Sequence, residues 1–433
     1  MFEVVRPYTE FSSKKIPMSL SSSLFARFAI VSTAIALPLT ASATVHTAHR
    51  HLSPAKAAPT HLHPGHSSHA AVHSGVAVSH SRHGSAAGFH HASLTVYRHR
   101  SFERFTGNSF AEGDATTADI TAGEDPVVRA AAIDALGNMN GTVVAIDPSN
   151  GRILAMVNQK LALSGGAEPC STIKVSVALA ALQEGIITKD TPVNLGGSYH
   201  MTLTEALAHS NNLYFETVGR RLGFERVRHY ANQFGLGELA GYNIAGETLG
   251  TYPDEELPEA QGGVGRMCSF GEGVSMTPLQ LGALVGSIAN GGTLYYLQHP
   301  TTPQEVLDFQ PKIKRTLDIS KVIPEIQDGM HAATLYGTAR SLRANFNQFP
   351  VMGKTGTCSN NGTRFGWFAS YADTQYGRIV TVFFLEGGRP TFGPRAAELT
   401  GLFYRNLWDH SYFLQKTDQT LTKADGTAVG ASQ

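Results

Sequence analysis

Apolar positions along this chain change period, and the changes divide it. GTVVAID at 141–147 and RILAMVN at 152–158 are rich in apolar and β-branched residues. The run Pro148-Ser149-Asn150-Gly151 between them is turn-forming, so the pair predicts a β-hairpin. From Ser171 the apolar positions Ile173, Val175, Val177, Leu179 and Leu182 predict a helix with Gly185 as its C-cap. Residues 203–222 predict a second helix, ended by Gly223. Thr277-Pro278 predicts a third, an N-cap followed by proline at the first helical position, closing at Gly291. Residues 320–337 predict a fourth, with a kink at Pro324. Strand character then returns in FPVMGKTGT, TRFGWFASYA and GRIVTVFFLE, spaced as successive antiparallel strands, before a last helix over 394–408. Hairpin, helices, three strands and helix, in that order, predict an α+β fold. Its antiparallel sheet is built from both ends of the domain and covered by helices.

The first 125 residues have a different texture. Arg6, Lys14, Lys15 and Arg27 precede a twelve-residue apolar run, FAIVSTAIALPL at 28–39, and the small-x-small triplet Ala41-Ser42-Ala43 follows. A membrane span needs about 20 apolar residues, so the run suits a signal peptide better than a span. An uncleaved anchor over 24–43 is the alternative. Residues 1–43 are therefore expected to be a signal peptide or signal anchor, and the remainder an exported chain, in the periplasm or at the outer face of the cytoplasmic membrane. Between His46 and His99 lie 13 of the 19 histidines, among Ala, Ser, Pro and Gly. Such sequence buries too little apolar surface to offset its ordering entropy. Residues 44–125 are expected to be a disordered linker. A metal-buffering tract is the rival reading, but the irregular histidine spacing specifies no single site. The folded domain is expected over 126–410, from about Val127, with a polar tail at 411–433.

Composition narrows the function. The chain has 433 residues and is 42% hydrophobic, enough for a sizeable core. Its 34 basic and 34 acidic residues give no excess that would draw nucleic acid. The three cysteines, Cys170, Cys268 and Cys358, with no CxxC, exclude a disulfide scaffold and a zinc ribbon.

Three short motifs carry candidate chemistry. In Ser171-Thr172-Ile173-Lys174, positions i and i+3 of a helix are surface neighbours, so the lysine can reach the serine hydroxyl. Ser171 lies at a predicted helix N-terminus, where unpaired N–H groups favour developing negative charge. A serine hydroxyl becomes a nucleophile when a base takes its proton. Lys174 can be that base only with a lowered pKa, and a nearby cation such as Lys354 would lower it. SxxK alone is weak: it also occurs at Ser12–Lys15 and Ser53–Lys56. Ser210-Asn211-Asn212 interrupts the second amphipathic run. It reads either as a solvated face or helix break, or as a hydroxyl and an amide aimed into a cleft. Lys354-Thr355-Gly356-Thr357 sits on a predicted strand, with a cation and hydroxyls suited to a carboxylate. Glycine within a strand often marks close approach of a ligand backbone.

Order and placement add more than any one motif. SxxK opens a helix, SxN follows 39 residues on, and KTG lies 144 residues further, on a late strand. This set resembles that of penicillin-binding proteins and serine β-lactamases. GTVVAIDPSNGRILAMVN, FGEGVSMTPLQLGALVGSIANGG and VMGKTGT followed by GWFASYA are similar to stretches of penicillin-binding transpeptidase domains, over about 127–408.

The resemblance, to class B-like monofunctional enzymes, implies a five-stranded antiparallel sheet with helices on both faces and an all-helical subdomain. It implies a serine D,D-transpeptidase acting on peptidoglycan stem peptides, with β-lactams as covalent inhibitors and cell-wall synthesis proteins as partners. Membrane contact would come through the N-terminal segment if that is uncleaved. Carried over by position, Ser171 is the nucleophile, Lys174 the general base, and Ser210 and Asn212 serve proton transfer and substrate positioning. Lys354 belongs to the catalytic set, and Thr355, Gly356 and Thr357 bind substrate. The backbone N–H groups of Ser171 and Thr357 form the oxyanion hole, and no metal or organic cofactor is implied.

Where the family has Pro-Gly before the serine, this chain has Pro169-Cys170. Cys170 and Cys358 flank two motifs that the family fold brings together. A bond between them needs Cα atoms within about 7 Å, and unpaired thiols are the expectation.

Rival readings share the fold. No Glu-x-x-x-Asn loop lies between the second and third motifs, which argues against a class A β-lactamase; PDEELPEAQ at 253–261 ends without the asparagine. Asn212 argues against class D. A D,D-carboxypeptidase differs only in the acyl acceptor. A non-catalytic sensor would not need Ser171, Lys174, Ser210, Asn212 and Lys354 all intact.

Overall fold

A computed structural model describes residues 105–374 and 377–414. The expected signal segment, the histidine-rich tract and the tail from residue 415 onward lie outside the described residues.

Among the described residues, nine strands form three antiparallel sheets. They are β1 (Gly141–Asp147), β2 (Arg152–Val157), β3 (Val193–Gly196), β4 (Tyr199–Met201), β5 (Thr293–Tyr295), β6 (Ile313–Thr316), β7 (Val351–Asn360), β8 (Thr363–Thr374) and β9 (Gly377–Gly387). β3 pairs with β4 and β5 with β6. The other five make the central sheet in the order β2-β1-β9-β8-β7, every neighbour antiparallel. The expected hairpin pairs Val143 with Val157. β1 then pairs with the last strand, setting Val143 opposite Phe383. The sheet is thus built from both ends of the domain, and β7, which carries Lys354, is an edge strand.

Successive residues of a strand face opposite sides of the sheet. In β1, Val144 and Ile146 enter one core and Val143 and Ala145 the other. Helices Pro126–Leu136 and Gly393–Asp409 cover the second face through Ala132, Phe403 and Leu407. Helices Lys174–Gln183 and Pro278–Ala289 cover the first through Val175, Leu179, Leu281 and Val285. Both faces of β1 are therefore buried, which explains its unbroken apolar run. Thr277 and Gln280 close a reciprocal capping box at the start of Pro278–Ala289, as Thr277-Pro278 predicts.

Three expectations change. The run 203–222 is two helices, Leu203–Ala208 and Asn212–Leu222, because Ser210 adopts a left-handed backbone with φ 54°. Asn211 caps the second, its Oδ1 accepting from Tyr214 N–H. Pro324 does not kink a helix. It lies in the first turn of Ile323–Leu335, where a missing N–H costs nothing. Packed structure also begins well before Val127. Asp119 and Glu124 both bind the Arg129 guanidinium at 2.8 Å, and all three side chains are largely buried.

Candidate active site

The site forms where three elements meet. Ser171 lies in a short 3-10 turn, Cys170–Ile173, that runs directly into helix Lys174–Gln183. Serine and lysine are thereby one turn apart. Ser210 sits in the sharp break between two helices, and its left-handed backbone pushes it toward Lys174. Lys354 comes from β7.

Lys174 is 0% exposed and its Nζ lies near four oxygens. Ser171 Oγ is 2.9 Å away, Ser210 O 2.9 Å, Ser210 Oγ 3.2 Å and Asn212 Oδ1 2.6 Å. Two of these, the Ser210 carbonyl and the Asn212 amide oxygen, can only accept. A neutral amine has two hydrogens and one lone pair. With both hydrogens given to the two carbonyl oxygens, its lone pair is left for the Ser171 O–H. The contact set therefore fits a neutral lysine acting as proton acceptor. Electrostatics agree. Burial, and then the positive charge of Lys354, push the Lys174 pKa well below the usual lysine range, against a smaller opposing pull from Glu216.

Lys354 is 1% exposed, and burial lowers its pKa to about 7. Its Nζ donates to Ser210 Oγ at 2.8 Å and to Thr355 O at 3.0 Å. Ser210 Oγ is therefore the shared neighbour of both lysines, a bridge along which a proton can pass.

Gly356 pairs with Trp367 across the sheet. A Cβ on Gly356 would lie 2.8 Å from Pro169 O and 3.1 Å from Thr172 Cγ2. Only glycine lets β7 come this close to the turn that carries Ser171. Trp367 Nε1 donates to Glu168 O at 3.0 Å and adds a second tie between the sheet and the segment that leads into this turn.

All five residues assigned to the catalytic set by sequence thus lie in one chain of hydrogen bonds. Thr355, Gly356 and Thr357 line β7 beside it, and each threonine hydroxyl makes one hydrogen bond that leaves capacity for a second partner. Thr355 Oγ1 is 2.7 Å from Thr338 Oγ1, and Thr357 Oγ1 accepts from Gly393 N–H at 2.8 Å. Thr338 and Gly393 escaped the sequence reading. Thr338 follows the helix ending at Leu335 and donates its N–H to Ala208 O. That ties the KTG strand to the element just before Ser210. No groups that could hold a metal ion occur among the described residues.

The expectation of unpaired thiols at Cys170 and Cys358 is overturned. The two are joined by a disulfide, with Cα atoms 5.5 Å apart. Cys268 is the remaining cysteine, buried and free.

Residues 141–400 match the penicillin-binding protein transpeptidase domain family. Stage V sporulation protein D of Bacillus subtilis is 29% identical over 262 residues, which is 49% of this chain and 39% of that protein. A protein named peptidoglycan D,D-transpeptidase MrdA, from Acinetobacter baumannii, is 24% identical over 65% of this chain and 52% of its own length. The chain thus spans about half the length of these relatives, or less. A crystal structure of a peptidoglycan glycosyltransferase from Burkholderia ambifaria has the same fold. It superposes with a TM-score of 0.57 at 18% identity, covering 67% of this chain and 98% of that one. With the family match spanning more than half its length and the motif residues meeting at one centre, this chain belongs to the penicillin-binding protein transpeptidase domain family.

Proposed function

We propose that this chain is a penicillin-binding serine D,D-transpeptidase that cross-links peptidoglycan stem peptides. One observation carries the reading: the buried Lys174 Nζ lies within 2.9 Å of Ser171 Oγ, of the Ser210 carbonyl oxygen and of Asn212 Oδ1, an arrangement suited to a neutral amine taking the Ser171 proton.

In this reading Lys174 takes the Ser171 proton, and Oγ attacks the carbonyl carbon of the penultimate D-alanine. The oxyanion that forms is held by the backbone N–H groups of Ser171 and Thr357. The proton returns to the leaving D-alanine nitrogen by way of Lys174 and Ser210, and an acyl-Ser171 remains. An amine of a second stem peptide attacks the ester, its proton passes back through the same groups, and Ser171 is restored. The Asn212 amide nitrogen positions a substrate carbonyl, and Lys354 with Thr355 binds the terminal carboxylate. β7 suits an extended peptide, since an edge strand offers main-chain hydrogen bonds on its outer side.

The chemistry belongs outside the cytoplasm. Residues 1–43 act as a signal peptide or anchor and the histidine-rich tract between His46 and His99 as part of a linker, with other cell-wall synthesis proteins as partners. Among the described residues no helix is long and apolar enough to cross a membrane.

The test is labelling with a fluorescent penicillin, run beside Ser171→Ala and Lys174→Ala. The expected result is a stable covalent adduct lost in both variants. It is accompanied by cross-linked products when donor and acceptor stem peptides are supplied. Release of D-alanine without cross-linking assigns a carboxypeptidase instead. Rapid drug hydrolysis with no stable adduct assigns a β-lactamase. A folded chain with neither adduct nor hydrolysis overturns the enzyme reading.

A further inference from the structure

The centre is crossed by a covalent bond that the acyl-transfer chemistry does not require. Cys170 directly precedes Ser171, and Cys358 directly follows Thr357. The two residues given the oxyanion hole above are thus each one peptide from the same disulfide. They belong to separate elements, the 3-10 turn and β7, and the bridge spans 188 residues of sequence.

Local structure shows why such a tie matters. Cys170 holds a left-handed backbone, φ 52°, in a non-glycine residue. Such a conformation is strained for an L side chain and persists only where its surroundings over-determine it. The same turn is pressed against β7, where Gly356 leaves no space for a Cβ. Oxyanion stabilisation depends on donors fixed in advance at the place where charge develops. A shift of about 1 Å in such a group can lower a rate about a hundredfold.

We propose that the Cys170–Cys358 disulfide is a positioning device for acylation. It holds the Ser171 and Thr357 N–H groups at their working separation, so the reduced protein folds but acylates slowly. This rests on the reading of Ser171 as the acylated nucleophile. Cys170 is fully buried whereas Cys358 is partly exposed, so a reductant meets the bond from the Cys358 side. A dithiol's thiolate attacks Cys358 Sγ, and Cys170 leaves as the thiolate. The second thiol then closes the reductant's ring and frees Cys358. The protein gains two electrons and two thiols, and the reductant loses the same two electrons. Cys268 does not confuse the test, since burial pushes its thiol pKa up and away from reactivity.

The experiment measures penicillin acylation by stopped flow on the full chain, oxidised, reduced with a dithiol, and as Cys358→Ser. Each rate is normalised to the folded fraction from thermal unfolding. The expected result is a limiting acylation rate at least about tenfold lower in the reduced protein and the variant, with the binding constant within about twofold. Reoxidation restores the reduced wild type and leaves Cys358→Ser slow. Equal limiting rates per folded molecule would reduce the bridge to a stability staple and overturn the proposal. So would a loss confined to the binding constant. An oxidised chain that takes no label at all removes the acyl-serine reading, and this proposal with it. A chain labelled equally fast in both redox states removes this proposal alone.

Discussion

Asn212 Oδ1 lies 2.6 Å from Lys174 Nζ, the shortest contact that amine makes. An oxygen this close selects the protonation state of the lysine by its own charge. Asn212→Asp would keep the shape and add an anion, which favours the ammonium and raises the Lys174 pKa. Acylation at pH 7 should fall about a hundredfold, the scale on which a general base contributes. Because the lysine still loses its proton at higher pH, the rate should recover as pH rises. Acylation rates measured from pH 6 to 10 check this; an unshifted profile would detach Lys174 from the rate-limiting proton transfer.

Lys354 makes an opposite prediction for binding. With its pKa lowered to about 7, the unliganded site loses this positive charge as pH rises through neutrality. Affinity for a β-lactam carboxylate should therefore weaken above pH 7, by up to about tenfold per unit. Lys354→Arg keeps its charge at all these pH values. Its binding constant, poorer at pH 6.5, should be flat to pH 9.

Gly356→Ala tests the approach of β7 to the Ser171 turn. The new methyl would lie 2.8 Å from Pro169 O, so strand or turn must shift. Overpacking of this kind costs about 1–3 kcal/mol of stability. The acylation rate per folded molecule should fall as well, because the displaced turn carries the nucleophile. Unfolding in urea, read alongside labelling kinetics, separates the two effects.

The segment ahead of Val127 should stabilise the domain. Arg129 is 13% exposed at its side chain, and its carboxylate partners Asp119 and Glu124 are 2% and 1% exposed. Asp119 also accepts from the N–H groups of Asn158 and Gln159. A chain starting at Val127 leaves Arg129 buried without these partners, at a cost of about 3–5 kcal/mol. Its melting temperature should lie clearly below that of a chain starting at Phe105; equal values would show the segment to be passive.

Much of this was legible in the sequence where apolar period and turn residues agree. The hairpin, the last three strands and the helix opened by Thr277-Pro278 follow directly. At Ser210-Asn211-Asn212 the polar interruption admits a helix break as one reading, but the apolar pattern continues on both sides, so the left-handed backbone of Ser210 that makes the break is not legible. Residues 105–125 read as linker because they contain few large aliphatics. They are held partly by ionic contacts to Arg129, which a hydrophobic pattern does not register. Cys170 and Cys358 lie 188 residues apart, and no spacing rule announces their pairing. Thr338 carries no local signature; its contact with Thr355 exists only once helix and strand are packed.

The pairing of β1 with β9 also sets a timetable. A chain made from its N-terminus presents Ser171 and Lys174 early, Lys354 much later, and the strand that locks β1 last of all. Long-range pairings of this sort form slowly, after the intervening chain has paid its loop-closure entropy. Until Gly377–Gly387 inserts between β1 and β8, the hairpin that carries Lys354 is not joined through the sheet to the strands at the other end of the domain.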